Sequence, residues 1–116
     1  MAELQKIATV NELKNGDMKQ VDLPGKEILL ARVNDRYYAV NNRCPHLGGK
    51  LVNGDLNGTV VTCPLHGSQF DLSNGRVIRW TDLTGFAAVL GKLFKAPKSL
   101  NVYPIKIEND DILIEL

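Results

Sequence analysis

Side chains that bind soft or borderline metals are scarce in this chain of 116 residues, which has two cysteines and two histidines. Charge of one sign is not in excess either, because the formal net charge is +1. Aromatic residues make up 6% of the chain, too few to form a surface on which nucleobases stack. The composition therefore predicts no nucleic-acid partner and no strongly acidic partner.

Long hydrophobic runs are also missing. No stretch approaches the roughly twenty apolar residues of a transmembrane helix. The first residues, MAELQKIATVNELKNGD, contain no apolar segment typical of a signal peptide. If both cysteines serve a metal, none is left for a structural disulfide, which fits a reducing compartment. We expect a cytoplasmic protein without a membrane span, and its length predicts a single domain over residues 1–116.

The scarce metal-binding side chains all fall in two short segments, CPHLGG and CPLHGSQFD. One residue separates Cys44 from His46, and two residues separate Cys63 from His66. Two thiolates and two imidazoles can hold a tetrahedral zinc ion or a two-iron cluster. Structural zinc sites usually space paired ligands by roughly two to four residues, so the Cys-x-His pair fits zinc poorly. A mixed-ligand cluster would need one cysteine and one histidine from each loop.

The two segments resemble the Rieske family, in which the first loop reads C-x-H and the second reads C-x-x-H. The resemblance covers both loops closely and the rest of the chain more loosely. It implies one [2Fe–2S] cluster, with Cys44 and Cys63 on one iron and His46 and His66 on the other. Two thiolates and two neutral imidazoles leave the oxidised cluster uncharged. Such a cluster accepts an electron more easily than a dianionic cluster with four thiolates.

Nine further residues of the two segments are expected to surround the cluster. The prolines fix the backbone φ after each cysteine, and the glycines let backbone amides approach the sulfides. Ser68 is expected to donate its hydroxyl to a sulfide and to raise the reduction potential. Leu47 is expected to cover the cluster near the exposed histidine edge. These residues are Pro45, Leu47, Gly48, Gly49, Pro64, Leu65, Gly67, Ser68 and Phe70.

Several positions separate this chain from the high-potential respiratory members of the family. A disulfide joins the two loops in those members, whereas the corresponding positions here hold Gly49 and Leu65. Their tyrosine, which bonds a ligand cysteine, corresponds to Phe70, while Ser68 matches their sulfide-facing serine. We therefore expect a potential between those of the low-potential ferredoxins and those of the respiratory proteins.

Four Asn-Gly pairs and runs of alternating apolar residues predict an all-β fold, a small Rieske-like antiparallel barrel or sandwich with both metal loops at strand connections. Tyr37 and Tyr38 are predicted to place one ring in the core and the other at the surface. Asn11 is predicted to cap a short helical turn. The expected strands are 4–10, 18–23, a hairpin over 25–42 turning at 34–35, 59–63, 70–72, 76–80, and a closing hairpin turning at 109–111.

Residues 81–98 differ from the rest because their apolar side chains recur at helical spacing. We predict a short helix at about 83–95 that covers an open face of the small barrel. The basic end of this segment is either a solvated face or, less simply, a docking surface. That end consists of Lys92, Lys95 and Lys98.

The cluster ligands use both histidines, so none remains for the two-histidine, one-carboxylate iron site of an oxygenase catalytic subunit. We therefore predict an electron-transfer protein rather than an enzyme: a soluble Rieske-type ferredoxin that passes single electrons from a reductase to an oxygenase or another acceptor. One alternative is a permanent electron-transfer subunit of a larger oxidoreductase, such as a nitrite-reductase-like complex. Another is a zinc-binding structural module. The oligomeric state is not predicted.

Overall fold

The computed structural model describes residues 4–44, 48–64, 67–79 and 99–115. In these ranges the chain forms β-strands and two short 3-10 helices, Val10–Glu12 and Leu51–Asn53. The strands are β1 (Leu4–Thr9), β2 (Met18–Leu23), β3 (Lys26–Val33), β4 (Arg36–Asn41), β5 (Asp55–Asn57), β6 (Val60–Thr62), β7 (Gln69–Asp71), β8 (Val77–Arg79), β9 (Val102–Tyr103), β10 (Ile105–Glu108) and β11 (Asp111–Glu115).

The described strands form three antiparallel sheets. Sheet 1 has the order β1-β11-β10, sheet 2 the order β2-β3-β4-β9, and sheet 3 the order β5-β6-β7-β8. The predicted all-β, antiparallel class is therefore confirmed. The helix predicted at 83–95 and the three lysines near its end lie outside the described residues. No helix in the described ranges is long and apolar enough to cross a membrane.

Two hairpins turn where asparagine stands in the sequence. Strands β3 and β4 pair in an unbroken register that ends at Val33 and Arg36, and Asn34 follows with a φ of 57°. Strands β10 and β11 pair up to a turn in which Asn109 has a φ of 55°. Asparagine enters this left-handed region more easily than most residues, because its short polar side chain bonds locally. Both predicted hairpin turns are confirmed.

Sheet 2 lies in the middle of the molecule, with apolar side chains on both of its faces. On β3, Leu29 and Ala31 pack into a cluster shared with sheet 3, while Ile28 and Leu30 pack into a second cluster shared with sheet 1. Successive side chains of a strand point to opposite faces, so one strand can supply both cores. We call the cluster between sheets 2 and 3 the loop core, because it contains both cysteines.

Three details differ from the sequence predictions. Tyr37 and Tyr38 are both half-buried and pack against different cores, because sheet 2 is covered on both faces. The short helical turn begins after Thr9 as N-cap, not at Asn11. The alternating isoleucines of the closing hairpin, Ile105, Ile107, Ile112 and Ile114, predict one buried face, but Ile107 is 44% exposed.

Candidate metal centre

Both cysteines occupy the loop core at the ends of strands from two different sheets. Cys44 follows β4 of sheet 2, and Cys63 directly follows β6 of sheet 3. Each residue is 2% exposed, and neither thiol forms a disulfide. Because the two sheets face each other across this core, strands from opposite sides carry one cysteine each into a shared, water-poor region.

The first loop closes through two backbone hydrogen bonds. The N–H of Cys44 donates to the carbonyl oxygen of Gly49 at 2.8 Å, and the N–H of Gly48 donates to the carbonyl oxygen of Cys44 at 2.7 Å. Gly48 has a φ of 75°, and no neighbouring atom lies within 4 Å of the position that a Cβ would take. The left-handed backbone of this turn, rather than a crowded neighbour, therefore accounts for glycine at this position.

The second loop repeats this arrangement at the same positions relative to its cysteine. The N–H of Cys63 donates to the carbonyl oxygen of Ser68 at 2.7 Å, and the N–H of Gly67 donates to the carbonyl oxygen of Cys63 at 3.2 Å. Gly67 has a φ of 70°, close to that of Gly48 in the first loop. The two loops are thus matched turns, each closed between a cysteine and the fifth residue after it.

The described part of the chain contains two of the four predicted ligands, Cys44 and Cys63. Their neighbours Ser68 and Phe70 are fully buried, and Pro64 is exposed. The remaining predicted ligands and neighbours lie outside the described residues. They are Pro45, His46, Leu47, Leu65 and His66.

Asn42, which the sequence analysis did not single out, ties the base of the first loop to the strands around it. Its side chain is fully buried, donates to the side-chain oxygen of Gln20 at 3.0 Å and accepts from the N–H of Val52 at 2.9 Å. Its backbone N–H donates to the carbonyl of Glu27, and its carbonyl accepts from the N–H of Leu51. The sequence signal is a polar residue directly after the apolar strand RYYAVN, where a buried amide needs partners.

Two arginines, also not singled out from the sequence, bind the carbonyl oxygens of the matched glycines. Arg43 donates to Gly48 O at 3.1 Å and makes two further bonds, of 3.0 and 3.1 Å, to the carboxylate of Glu27. Arg79 of β8 donates through Nε and Nη2 to Gly67 O, at 3.0 and 2.9 Å. The hydrogen bond from Arg43 is the largest cause that holds the pKa of Glu27 below its usual value of 4.5.

The two thiols suit a metal centre in burial, redox state and placement. They are buried, free of a disulfide and held in matched turns on opposite sides of one core. Among the residues that the structure describes, no Asp or Glu joins them in a group of three or more possible ligands. The sequence prediction adds the histidines of the same two segments as the other two donors, and a set of two thiolates and two imidazoles would match a mixed-ligand iron–sulfur cluster.

Comparison with known sequences finds a matching family model. The family model for the Rieske [2Fe-2S] domain matches residues 3–104. The ferredoxin component of the naphthalene 1,2-dioxygenase/salicylate 5-hydroxylase systems of Ralstonia sp is 32% identical over 109 residues, which cover 94% of this chain and 91% of that protein. Apoptosis-inducing factor 3 of Mus musculus is 33% identical over 108 residues. The match covers 93% of this chain but only 16% of that much longer relative.

Comparison with solved structures finds the same fold. The ferredoxin of carbazole 1,9a-dioxygenase from Nocardioides aromaticivorans IC177 superposes with a TM-score of 0.76 at 25% identity, over 96% of this chain and 95% of that one. A ferredoxin chain solved in complex with the oxygenase of carbazole 1,9a-dioxygenase superposes with a TM-score of 0.77 at 22% identity, over 96% of this chain and 91% of that one.

Proposed function

Because the chain belongs to the Rieske [2Fe–2S] domain family, we propose that it is the ferredoxin component of an oxygenase system and receives its electrons from a reductase. It is an electron carrier rather than a catalytic enzyme, and its cofactor is one Rieske-type [2Fe–2S] cluster. The observation that carries the proposal is the pair of matched cysteine turns on opposite sides of the loop core. Dioxygenase-system ferredoxins are similar to this chain over nearly their whole length.

In the proposed site, Cys44 and Cys63 hold one iron, and His46 and His66 hold the other. The two cysteines approach from sheets 2 and 3, which places one loop on each side of the metals. The cluster supplies one-electron chemistry when bound. The chain's own contribution is to hold two thiolates in a water-poor core.

The ligand assignment is tested by substitution in protein purified without oxygen. We expect Cys63→Ser and His66→Cys each to abolish the native spectrum, because either change alters the two-thiolate, two-imidazole donor set. Ser73→Ala, which changes an exposed hydroxyl in the turn after β7, is the control and should keep the cluster. The measurement is the EPR spectrum after reduction with dithionite, together with iron and sulfide content.

A spin-one-half signal with an average g value below that of all-cysteine [2Fe–2S] clusters supports mixed ligation in the wild type. A colourless wild type that carries zinc would contradict the proposed cluster. A His66→Cys variant with an unchanged wild-type spectrum would contradict the proposed role of that histidine.

The carrier role is tested by electron counting and by transfer. Coulometric titration should show one electron per chain, because a [2Fe–2S] cluster cycles between two charge states. Mixed anaerobically with the oxidised oxygenase component of a naphthalene dioxygenase system, the reduced protein should lose its reduced spectrum while the oxygenase gains one. A protein that is reduced but transfers no electron to any Rieske oxygenase would contradict the proposed oxygenase partner.

A permanent subunit of a larger oxidoreductase is a second candidate. It is favoured by the match to apoptosis-inducing factor 3, in which a region similar to this chain makes up a small part of a longer protein. The two candidates differ in native mass. A ferredoxin that exchanges partners elutes alone when a native extract is fractionated by size, whereas a subunit elutes with its enzyme.

We also propose that the protein works in the cytoplasm. The support is chemical, since neither cysteine forms a disulfide, which fits a reducing compartment. Fractionation of the source cells tests this, with recovery in the periplasmic fraction as the contradicting result.

A further inference from the structure

The loop arginines, Arg43 and Arg79, occupy equivalent places on the two cysteine loops. Each guanidinium donates to the carbonyl oxygen of the glycine with positive φ, Gly48 in the first loop and Gly67 in the second. These glycines stand at the same position, four residues after the cysteine. The segment after β4 and the strand β8 therefore each supply a guanidinium group. Each group binds the equivalent glycine carbonyl oxygen of its loop.

The contact acts on the atom that decides the shape of each loop. The glycine carbonyl belongs to the peptide unit that follows the left-handed residue. The orientation of this peptide unit determines how the chain returns to the sheet. A hydrogen bond from a guanidinium is charge-assisted and stronger than a neutral one. Arg79 uses two of its N–H groups on this single oxygen, which also restricts the orientation of its planar head.

The two arginines differ in the charge around them. Arg43 is paired with the carboxylate of Glu27, which offsets its positive charge. No carboxylate in the described part of the chain forms an ion pair with Arg79. The first loop is therefore bound by a nearly neutral pair, and the second by an arginine that has no ion pair among the described residues.

We propose that the loop arginines are positioning residues that hold the two ligand loops and set the reduction potential through their charge. The inference rests on the proposed ligation of the cluster by these loops. A positive charge beside a loop favours the reduced cluster, which carries one more negative charge than the oxidised one. Arg79 exerts this effect directly, whereas the effect of Arg43 is offset by Glu27.

The test compares holoprotein variants by two measurements, the reduction potential and the rate at which excess EDTA bleaches the visible absorption. Arg79→Gln should shift the potential to a more negative value and should speed cluster loss about tenfold, since it removes two charge-assisted hydrogen bonds. Arg79→Lys keeps the charge but offers a single flexible donor. It should hold the wild-type potential and lose its cluster at an intermediate rate.

A double substitution separates charge from hydrogen bonding at the first loop. Arg43→Gln should lower the potential and speed cluster loss, because it removes the bond to Gly48 and leaves Glu27 without its partner. Glu27→Gln combined with Arg43→Gln removes one charge of each sign. The reduction potential of the double variant should return most of the way to the wild-type value. Its cluster should still be lost faster than that of the wild type.

Arg36→Gln is the matched control, because Arg36 is an exposed arginine at the opposite end of β4 from the first loop. It should match the wild type in both measurements.

Equal potentials in Arg79→Gln and Arg36→Gln would overturn the inference, as would a potential in Arg79→Lys as low as that in Arg79→Gln. If Arg79→Gln accumulates only as apoprotein while Arg79→Lys carries a cluster, the positioning role is supported. A wild type without a two-iron cluster overturns the proposed function itself, so the two failures are distinguishable.

Discussion

At the scale of single residues, Asn42 connects the base of the first loop to the strands around it. Its amide group bonds Gln20 of β2 and the N–H of Val52, and its backbone bonds Glu27 of β3. A buried amide is favourable only when its donors and acceptors are paired. The full pairing of Asn42 explains why a polar residue stands where an apolar strand ends, two residues before Cys44.

We expect Asn42→Ala to lower the free energy of unfolding by about 2 kcal/mol, because the N–H of Val52 and the side chain of Gln20 each lose a partner at a half-buried position. The measurement is urea unfolding of the holoprotein followed by far-UV circular dichroism. Asn57→Ala, at the exposed last residue of β5, is the control and should change little. A variant as stable as the wild type would show that water replaces the lost bonds without cost.

Ser68 belongs to the second loop and is fully buried beside the core that holds both cysteines. If its hydroxyl donates to the cluster, as the family resemblance implies, Ser68→Ala should keep the cluster and lower the potential. One such bond is worth about 1 kcal/mol, which corresponds to about 40 mV for a one-electron couple. Protein-film voltammetry measures the shift, and Ser99→Ala at an exposed position is the control. An unmoved potential in Ser68→Ala would show that the hydroxyl has another role.

At the scale of elements, sheet 3 leaves very little space between the residue before β5 and the end of β6. A Cβ built at Gly54 would lie 1.9 Å from the carbonyl oxygen of Thr62. Thr62 is the last residue of β6 and directly precedes Cys63. The φ of Gly54 is −89°, which any residue can adopt, so the need for glycine here is one of space.

We expect Gly54→Ala to lower the free energy of unfolding by about 3 kcal/mol, since the end of β6 must move to admit the methyl group. Because Cys63 moves with it, cluster loss in EDTA should also become faster. Gly16→Ala is the control: its φ of 87° costs about 1 kcal/mol, but no neighbour lies within 4 Å. Equal losses of stability in the two variants would contradict the steric explanation.

At the scale of the whole molecule, three carboxylates stabilise the fold through their ionised forms. The side-chain hydrogen bond from Ser73 lowers the pKa of Asp71, that from Arg43 lowers the pKa of Glu27, and Lys19 lowers the pKa of Glu12. In the unfolded chain these pKa values return to normal, so the unfolded state binds more protons in acid. The contribution of these carboxylates to the free energy of unfolding is fully present above their normal pKa values of 3.8 and 4.5. It is lost as the pH falls through the lowered pKa values of the folded protein.

We therefore expect the free energy of unfolding to decrease between about pH 5 and pH 3. Because acid also releases iron from the cluster, the test is the difference between the wild type and Asp71→Asn. The variant should be less stable at neutral pH by about 1 kcal/mol and should lose less on acidification, since it cannot be protonated at that position. Parallel pH profiles would contradict a role for the Asp71 carboxylate, which bonds Ser73 through its N–H at 2.9 Å and its hydroxyl at 2.6 Å.

Local chemistry in the sequence was enough to predict several features of the molecule. The spacing of two cysteines and two histidines led to the family and the cluster, because metal ligation depends on donor type and on the short reach of a loop. The Asn-Gly pairs and the alternating apolar residues predicted the all-β class, and the Asn-Asp pairs at 34–35 and 109–110 marked both hairpin turns, because turn conformation and strand alternation are properties of a few adjacent residues.

Only the tertiary structure decided which distant groups meet. That Tyr37 and Tyr38 are both half-buried depends on sheet 2 lying between two other sheets, which no local pattern records. The contacts of Arg43 with Gly48 and of Arg79 with Gly67 depend on how the strands are arranged around the loops. The sequence by itself determined the family and the all-β class, whereas packing decided how each loop is held, because those contacts join residues that only folding brings together.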